Sequence, residues 1–509
     1  MDKTTISNRI IWADVPDPSV IRVGSTFYMV STSMHSMPGC PIMKSDNLLD
    51  WELVNYVYDT FEDNDAHNLL DGKGIYGKGS WAASLRYNEG IFYVCFSSLD
   101  MNQFYIYTTI DIEKGKWERN VIQGLHHDPS MLFDDDGRVF VFHGNGDIRI
   151  TELTADATAL KPDGINQLLL ETEREGIMLR AEGCHAYKIN GYYYLFFIDW
   201  PKVGNKRRRQ LCYRSLNLLG PYERKLMLDD HMDYRNNGIA QGGLIDTQDG
   251  DWYTMLFQDH GAVGRMPCVL PVAWENDWPV LGQDGRAPQT FEVKLPSTSP
   301  KPLVISDEFD YDMNRLALNW QWNHNPDPDN WSVTERSGHL RLTTGHLANG
   351  VEFARNTLTQ RTEGPACIGT TVLDIANMQP GDRAGLVALQ YVFGSVGIQV
   401  DDNGERYVAM SVNGRADGSE GETTIERARY EGARIYLQIE CQFDNGDRED
   451  IARFRYSSDG ENWHSIGGPL QLHYKLEHFM GYRFGLYNYA TKQTGGFVDY
   501  DYFRYEKLV

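Results

Sequence analysis

Three acids in this chain stand at positions from which they could act together: Asp17, Asp128 and Glu182. Asp17 opens the run Asp17-Pro-Ser-Val-Ile, Asp128 opens Asp128-Pro-Ser-Met-Leu, and Glu182 stands before Gly183-Cys-His-Ala-Tyr. Carboxylates brought into one polar pocket push each other's proton affinities apart. One can then hold a proton for a leaving oxygen while another stays ionised and takes a proton from water, which is what hydrolysis of a glycosidic bond requires. An Asp before Pro-Ser is by default a turn residue. What weighs against that here is the wider pattern in which the three acids sit.

That pattern is a five-fold repeat over the first 260 residues. Each copy has a polar entry, a short apolar strand, a turn with Gly or Asp, and a second strand opening on an aromatic pair or its equivalent. The pairs are Phe27-Tyr28, Phe92-Tyr93, Val139-Phe140, Tyr193-Tyr194 and Trp252-Tyr253. With Ser19, Ser84, Ser130, His185 and Gly243 as equivalent anchors, the steps are 65, 46, 55 and 59 residues. A hairpin recurring at about 50 residues is the signature of a β-propeller, here with five blades. Two residues before the anchors stand Asp17, Ala82, Asp128, Gly183 and Gln241. Equivalent positions on different blades face one another across the funnel. A turn residue kept for the backbone alone would not be acidic in two copies and give way to Glu182-Gly183 in a third.

The rest of the chain bounds the alternatives. At 509 residues, with 41% hydrophobic and 23% charged residues, it fits a soluble two-domain protein. Many aromatics and glycines predict an all-β fold. After Leu295 the hairpin repeat stops, and Pro296-Ser-Thr-Ser-Pro-Lys-Pro302 reads as a linker. The expected organisation is a propeller over 1–297, a linker over 298–303 and a β-sandwich of jelly-roll type over 304–509. A net charge of −23 argues against nucleic acid and anionic membranes as partners. The one basic run, Lys206-Arg207-Arg208-Arg209, reads as a solvated loop. Seven scattered cysteines without a C-x-x-C pair predict buried free thiols rather than disulfides or a zinc site. Without an apolar leader or membrane span the chain reads as soluble: cytoplasmic or, if a signal peptide has been removed, periplasmic or secreted. Assembly into a homo-oligomer is compatible with all of this.

The repeat also carries a resemblance. Asp17-Pro-Ser-Val-Ile-Arg-Val-Gly, His127-Asp-Pro-Ser-Met-Leu-Phe, Glu182-Gly-Cys-His-Ala-Tyr, Gly79-Ser-Trp-Ala82, Gln241-Gly-Gly-Leu-Ile and Gly261-Ala-Val-Gly-Arg265 resemble glycoside hydrolase family 43. Trp320-Gln-Trp-Asn-His-Asn325 and Phe484-Gly-Leu-Tyr-Asn-Tyr-Ala490 resemble the concanavalin-A-like sandwich of its β-xylosidase and α-L-arabinofuranosidase branch. The resemblance implies an inverting exo-hydrolase that releases xylose or arabinose from xylan-derived oligosaccharides, β-xylosidase first; the alternatives are an α-L-arabinofuranosidase or another exo-glycosidase such as a galactosidase, and a carbohydrate-binding protein without catalysis. Asp17 would be the general base, Glu182 the general acid and Asp128 the modulator that orients Glu182. Trp81, Arg265, His35 and Gln241 would contact the sugar, and the sandwich would restrict the funnel. No cofactor is needed for the chemistry. Ala240 stands where relatives keep a histidine near an axial ion, and Cys184 where they keep a proline. In the sandwich, Asp307 and Asp501 lie in acid runs near its two ends and could share a structural calcium, or be solvated turn acids.

Overall fold

The computed structural model describes residues 4–296, 298–299, 301–413, 421–443 and 449–508; Ser297 and Pro300 of the expected linker fall outside these ranges. Five four-stranded antiparallel sheets follow one another. Their innermost strands are Ser19–Val23, Ser84–Asn88, Ser130–Phe133, Ile177–Ile189 and Ile239–Asp246. The five anchors all lie in these strands, so the repeat read from the sequence is the blade.

The aromatic pair has a physical reason. It sits in each blade's second strand, where consecutive side chains point to opposite faces. Tyr28 and Phe92 therefore meet in one interblade core, Tyr93 and Val139 in the next, and Phe140 and Tyr193 in a third. Tyr194 packs with Trp252, and Tyr253 closes the ring against Phe27. Each pair thus feeds the apolar layers on both sides of its blade.

The anchors form an inner ring. Ser19 Oγ accepts from Leu85 N (3.1 Å), Ser84 Oγ from Met131 N (3.3 Å) and Ser130 Oγ from Ala186 N (2.9 Å). The fifth anchor is glycine because a Cβ at 243 would lie 1.8 Å from Tyr187 Oη and 2.9 Å from His185 Nδ1. Arg86 adds a cation to this ring, donating to Met131 O (2.7 Å), Ser130 Oγ (2.9 Å) and Ala186 O (3.1 Å). Ala240 supplies no ligand atom, and a guanidinium already serves the inner-strand carbonyls.

The sandwich has two eight-stranded sheets, one of them completed by the propeller. Ser36–Met37, from the first blade's second connection, pairs with Gln321–Asn323 at Trp322↔Met37 and Asn323↔Ser36. One apolar core runs from the first two blades into the sandwich. The two domains are therefore fused by a shared sheet as well as by side chains. The ends of the sandwich meet too, through Asp307 N to Phe503 O (2.7 Å) and Phe503 N to Asp307 O (2.8 Å). Their carboxylates are spent on protein donors. Asp307 accepts from Phe309 N (2.8 Å), Trp320 Nε1 (2.8 Å) and the Tyr311 hydroxyl, and Asp501 pairs with Arg434. Neither is a free turn acid, and this geometry leaves the calcium reading of Asp307 and Asp501 without a ligand set.

Two further expectations need correction or hold. The basic run is not solvated beyond Lys206. Arg207 is held by Asp229 and Arg209 by both oxygens of Asp199 (2.9 and 2.6 Å), while Arg208 turns the other way and pairs with Asp259. All seven cysteines are free and buried. No helix among the described residues is long and apolar enough to cross a membrane.

Candidate active site

The three acids meet in a cavity of about 260 Å³ at the mouth of the propeller. Its walls include Trp81, His127, Asn145, Arg208, Gln241, Arg265 and Phe479. Backbone geometry explains why the repeat puts side chains there. Asp17 (φ 51°) and Asp128 (φ 45°), just before their inner strands, and Gly183 (φ 68°) and Gln241 (φ 59°), within theirs, all take the left-handed conformation two residues ahead of the anchor. Asp and Gly enter that region more readily than most residues, and it is a form of strain found where function over-determines the backbone. Glu182 reaches the same cavity by another device. Its strand, Ile177–Ile189, shifts register against Tyr192–Pro201 on both sides of the Glu182↔Ile198 pair, and such bulges re-aim a side chain.

Asp17 is 5% exposed and has three polar contacts. Arg265 Nη1 donates to Oδ1 (2.9 Å) and Oδ2 (3.0 Å), and Thr32 Oγ1 donates to Oδ2 (2.7 Å). Arg265 is itself buried. Burial works against its charge, but Asp17, with Tyr474 and Asp14 adding to it, outweighs this and raises its proton affinity. Its Nη2 donates to Phe479 O (3.1 Å). Arg265 is thus in the pocket as expected, but its guanidinium is committed to Asp17 and to the sandwich wall.

The acid side is a cluster of titratable groups. His127 Nε2 lies 3.0 Å from Glu182 Oε2 and 3.5 Å from Asp128 Oδ2, and Asn145 Nδ2 donates to Glu182 Oε2 (2.5 Å). Asp128 accepts from Gly183 N (3.0 Å), which ties it to the residue after Glu182. Burial raises Asp128 to about 7; His127 opposes this, and the charges of Glu182 and Asp17 add to it. Burial alone would lower His127, but the Asp128 charge and the Glu182 hydrogen bond outweigh it and lift the imidazole to about 9. Among the described residues these three form the one cluster with metal-ligand spacing, joined internally by the contact of His127 Nε2 with Glu182 Oε2.

Asp14, unremarked in the sequence, pins the two halves together. It is 3% exposed and accepts from Arg265 N (2.7 Å) and Gly481 N (2.8 Å). One carboxylate therefore joins the backbone at Arg265 to the sandwich loop that carries Phe479. Gly264 and Gly481 are required there: a Cβ at 264 would lie 2.2 Å from Asp14 Oδ1, and one at 481 would lie 2.2 Å from Val263 O.

Of the expected sugar contacts, Trp81, Arg265 and Gln241 line the cavity and His35 does not. Trp81 stands half-buried, edge-on to His127 (5.5 Å) and tilted against Phe479 (6.0 Å). The turn instead offers Met34 to the pocket. His35, 1% exposed, packs against Tyr76, His324 and His478 between the domains, where burial holds it well below its ordinary proton affinity. Cys184 is buried, and burial pushes its thiol up, which makes it no nucleophile. His127, Asn145, Arg208 and Phe479 were not singled out by the sequence. His127 stood in the quoted motif, and its place before Asp128 was the available signal. Phe479 had none, because it comes from the other domain.

Known proteins give the same answer independently. Residues 306–506 match the beta xylosidase C-terminal concanavalin A-like domain. A beta-xylosidase of Formosa agariphila is 29% identical, over 99% of this chain and 90% of that protein. A non-reducing end alpha-L-arabinofuranosidase of Bacteroides ovatus is 29% identical, over 66% of this chain and 65% of the other. The bifunctional GH43-CE structure of Bacteroides eggerthii has a TM-score of 0.92 at 43% identity; it is matched by all of this chain, which spans 64% of that one. Residues 6–279 match Glycosyl hydrolases family 43, and with the propeller, the three acids and the appended sandwich all in place, this chain belongs to glycoside hydrolase family 43.

Proposed function

We propose that the chain is an inverting exo-glycosidase that removes a terminal xylose from xylan-derived oligosaccharides, with arabinose as the second candidate. The observation that carries this is the division of the pocket. One acid, Asp17, is tied to a guanidinium and a hydroxyl, and the other, Glu182, sits in a proton-holding cluster with His127 and Asp128. Water attacks the anomeric carbon as Asp17 takes its proton, and Glu182 protonates the departing oxygen. Asp128 holds Gly183 N and so fixes the backbone next to Glu182, and its charge and that of His127 decide how long the cluster keeps its proton.

Phe479 from the sandwich closes one wall of the cavity, which favours a chain end over the middle of a polysaccharide. A xylosidase reading agrees with the name of the Formosa agariphila relative, and the alternative with that of the Bacteroides ovatus one. Nitrophenyl β-xyloside and nitrophenyl α-L-arabinofuranoside, assayed side by side, decide between them. The expected result is faster turnover of the xyloside with inverted configuration in the first product. Asp17→Ala and Glu182→Ala are each expected to lower kcat on the order of a thousandfold while the protein stays folded. Activity surviving in either variant would overturn the assignment.

A further inference from the structure

Two guanidiniums line the pocket, and they are not equivalent. Arg265 has both terminal nitrogens engaged, with Asp17 and with Phe479 O. Arg208 makes no hydrogen bond to any of the three acids. It pairs with Asp259, and its side chain is 20% exposed. Its guanidinium lies 5.3 Å from the ring centre of Trp200 and 5.9 Å from that of Phe257, so apolar faces on neighbouring strands hold its position. Its Nε is buried and, like that of Arg265, has no hydrogen-bond partner within the protein. Buried donors are rarely left unmatched, because the desolvation of the N–H is then uncompensated.

The placement of this donor indicates what it serves. Arg208 borders the catalytic cavity and also a second cavity at the domain seam, shared with Arg265, Phe479, Tyr474 and Asn237. Glu182, Asp128 and His127 do not line that second space. The leaving oxygen must lie beside Glu182, so Arg208 faces the side of the sugar away from the bond that breaks. Two other donors of the main cavity are already used: Trp81 Nε1 donates to Gly77 O (3.2 Å) and Asn145 Nδ2 to Glu182. Burial, with Arg265 nearby, lowers Arg208 to about 10, so it stays charged at neutral pH. Because Asp259 balances that charge, the matching group is a neutral oxygen rather than a carboxylate.

We propose that Arg208 is a substrate-binding residue that donates from its guanidinium to one ring hydroxyl of the terminal pentose, remote from the scissile bond, and so helps decide which sugar is accepted. This rests on the glycosidase reading above and adds the residue that positions the sugar. The bond is present before and during reaction, so its loss falls mainly on KM.

The test pairs variants with deoxy substrates. Arg208→Met keeps the apolar stem over Trp200 and Phe257 and deletes every donor. Kinetics are measured on the nitrophenyl pentoside that the wild type hydrolyses fastest and on its monodeoxy analogues. Arg208→Met is expected to lower kcat/KM on the parent about 10- to 100-fold, chiefly through KM, as for a hydrogen bond from a charged donor. For one deoxy analogue the wild type is expected to lose a similar factor, and the variant no more than about twofold further; the remaining analogues lose the same factor in both enzymes. A parent kcat/KM within about threefold of wild type, or losses that multiply at every position, overturns the proposal. If Arg208→Met does not fold by thermal melting, Arg208→Lys carries the same cycle, with the same two outcomes. If the wild type hydrolyses no pentoside, that counts against the glycosidase reading. Titration calorimetry with free xylose and free arabinose then decides about Arg208: weaker binding in the variant supports its role, and equal binding or none in either protein overturns it.

Discussion

Asp17 and Asp128 begin the same three-residue motif, share the left-handed backbone, and are 5% and 7% exposed. Their surroundings nevertheless differ in kind. Asp17 meets permanent donors, a guanidinium and a hydroxyl, neither of which changes charge in the working pH range. Asp128 meets an imidazole lifted to about 9 and the charge of a second carboxylate, and burial lifts Asp128 itself to about 7. The motif therefore fixes where a carboxylate stands, and the neighbouring blades decide whether it acts as an acceptor or as part of a proton store. One half of the site is electrostatically rigid and the other is adjustable.

The largest expected effect comes from making the rigid half resemble the other. Arg265→Met strips Asp17 of its cation inside a buried site, and losing one partner of such a pair is severe. Turnover is expected to fall on the order of a hundredfold, measured as kcat on the preferred nitrophenyl glycoside. Less than a tenfold loss would mean that Thr32 alone positions the base.

A smaller effect tests the adjustable half. His127→Gln removes the imidazolium that restrains Asp128, so Asp128 should hold its proton to higher pH still. The alkaline limb of kcat/KM should then move upward, with a lower plateau. A limb that stays in place would show that the proton is not shared. The wild type also carries a stability consequence. His127 and Asp128 both bind protons more tightly folded than unfolded. Their contribution to stability is complete below about 6.5 for His127 and below about 3.8 for Asp128, and is lost as pH rises through about 9 and about 7 respectively. Urea midpoints measured from pH 6 to 10 should fall across that window, and fall less in His127→Gln.

The smallest effect on the chemistry concerns the clamp between the halves. Asp14→Ala leaves the N–H groups of Arg265 and Gly481 buried without acceptors, at a cost of about 2–4 kcal/mol. The urea midpoint should drop accordingly. Because the Gly481 bond fixes the loop that carries Phe479, KM should rise severalfold while kcat changes less. Unchanged KM would mean that Tyr482 N to Ala262 O (2.9 Å) holds the loop by itself.

The blades, their inner anchors and the three acids were legible in the chain because a repeated hairpin must present equivalent residues at equivalent places. The aromatic pairs were legible for the same reason, since alternation along a strand obliges each blade to fill two interblade layers. Buried thiols followed from cysteines inside apolar strands. His35 was misplaced because its turn does reach the pocket, but through Met34, and the left-handed backbone at Met34 (φ 49°) leaves His35 packed between the domains. The basic run misled because a solvated loop and an alternating set of arginines, each with its own carboxylate, have the same composition.

The sequence by itself thus determined the propeller, the appended sandwich and the level at which Asp17, Asp128 and Glu182 converge. Those follow from local periodicity and from repetition. Only the tertiary structure decided that Arg265 serves Asp17, that His127 and Asn145 hold Glu182, that Arg208 lines the pocket, and that Phe479 walls it from another domain. Such pairings join residues up to 467 positions apart, as Asp14 and Gly481 are. They are set by which surfaces pack together and by the need to match every buried charge and donor, and neither leaves a period in the chain.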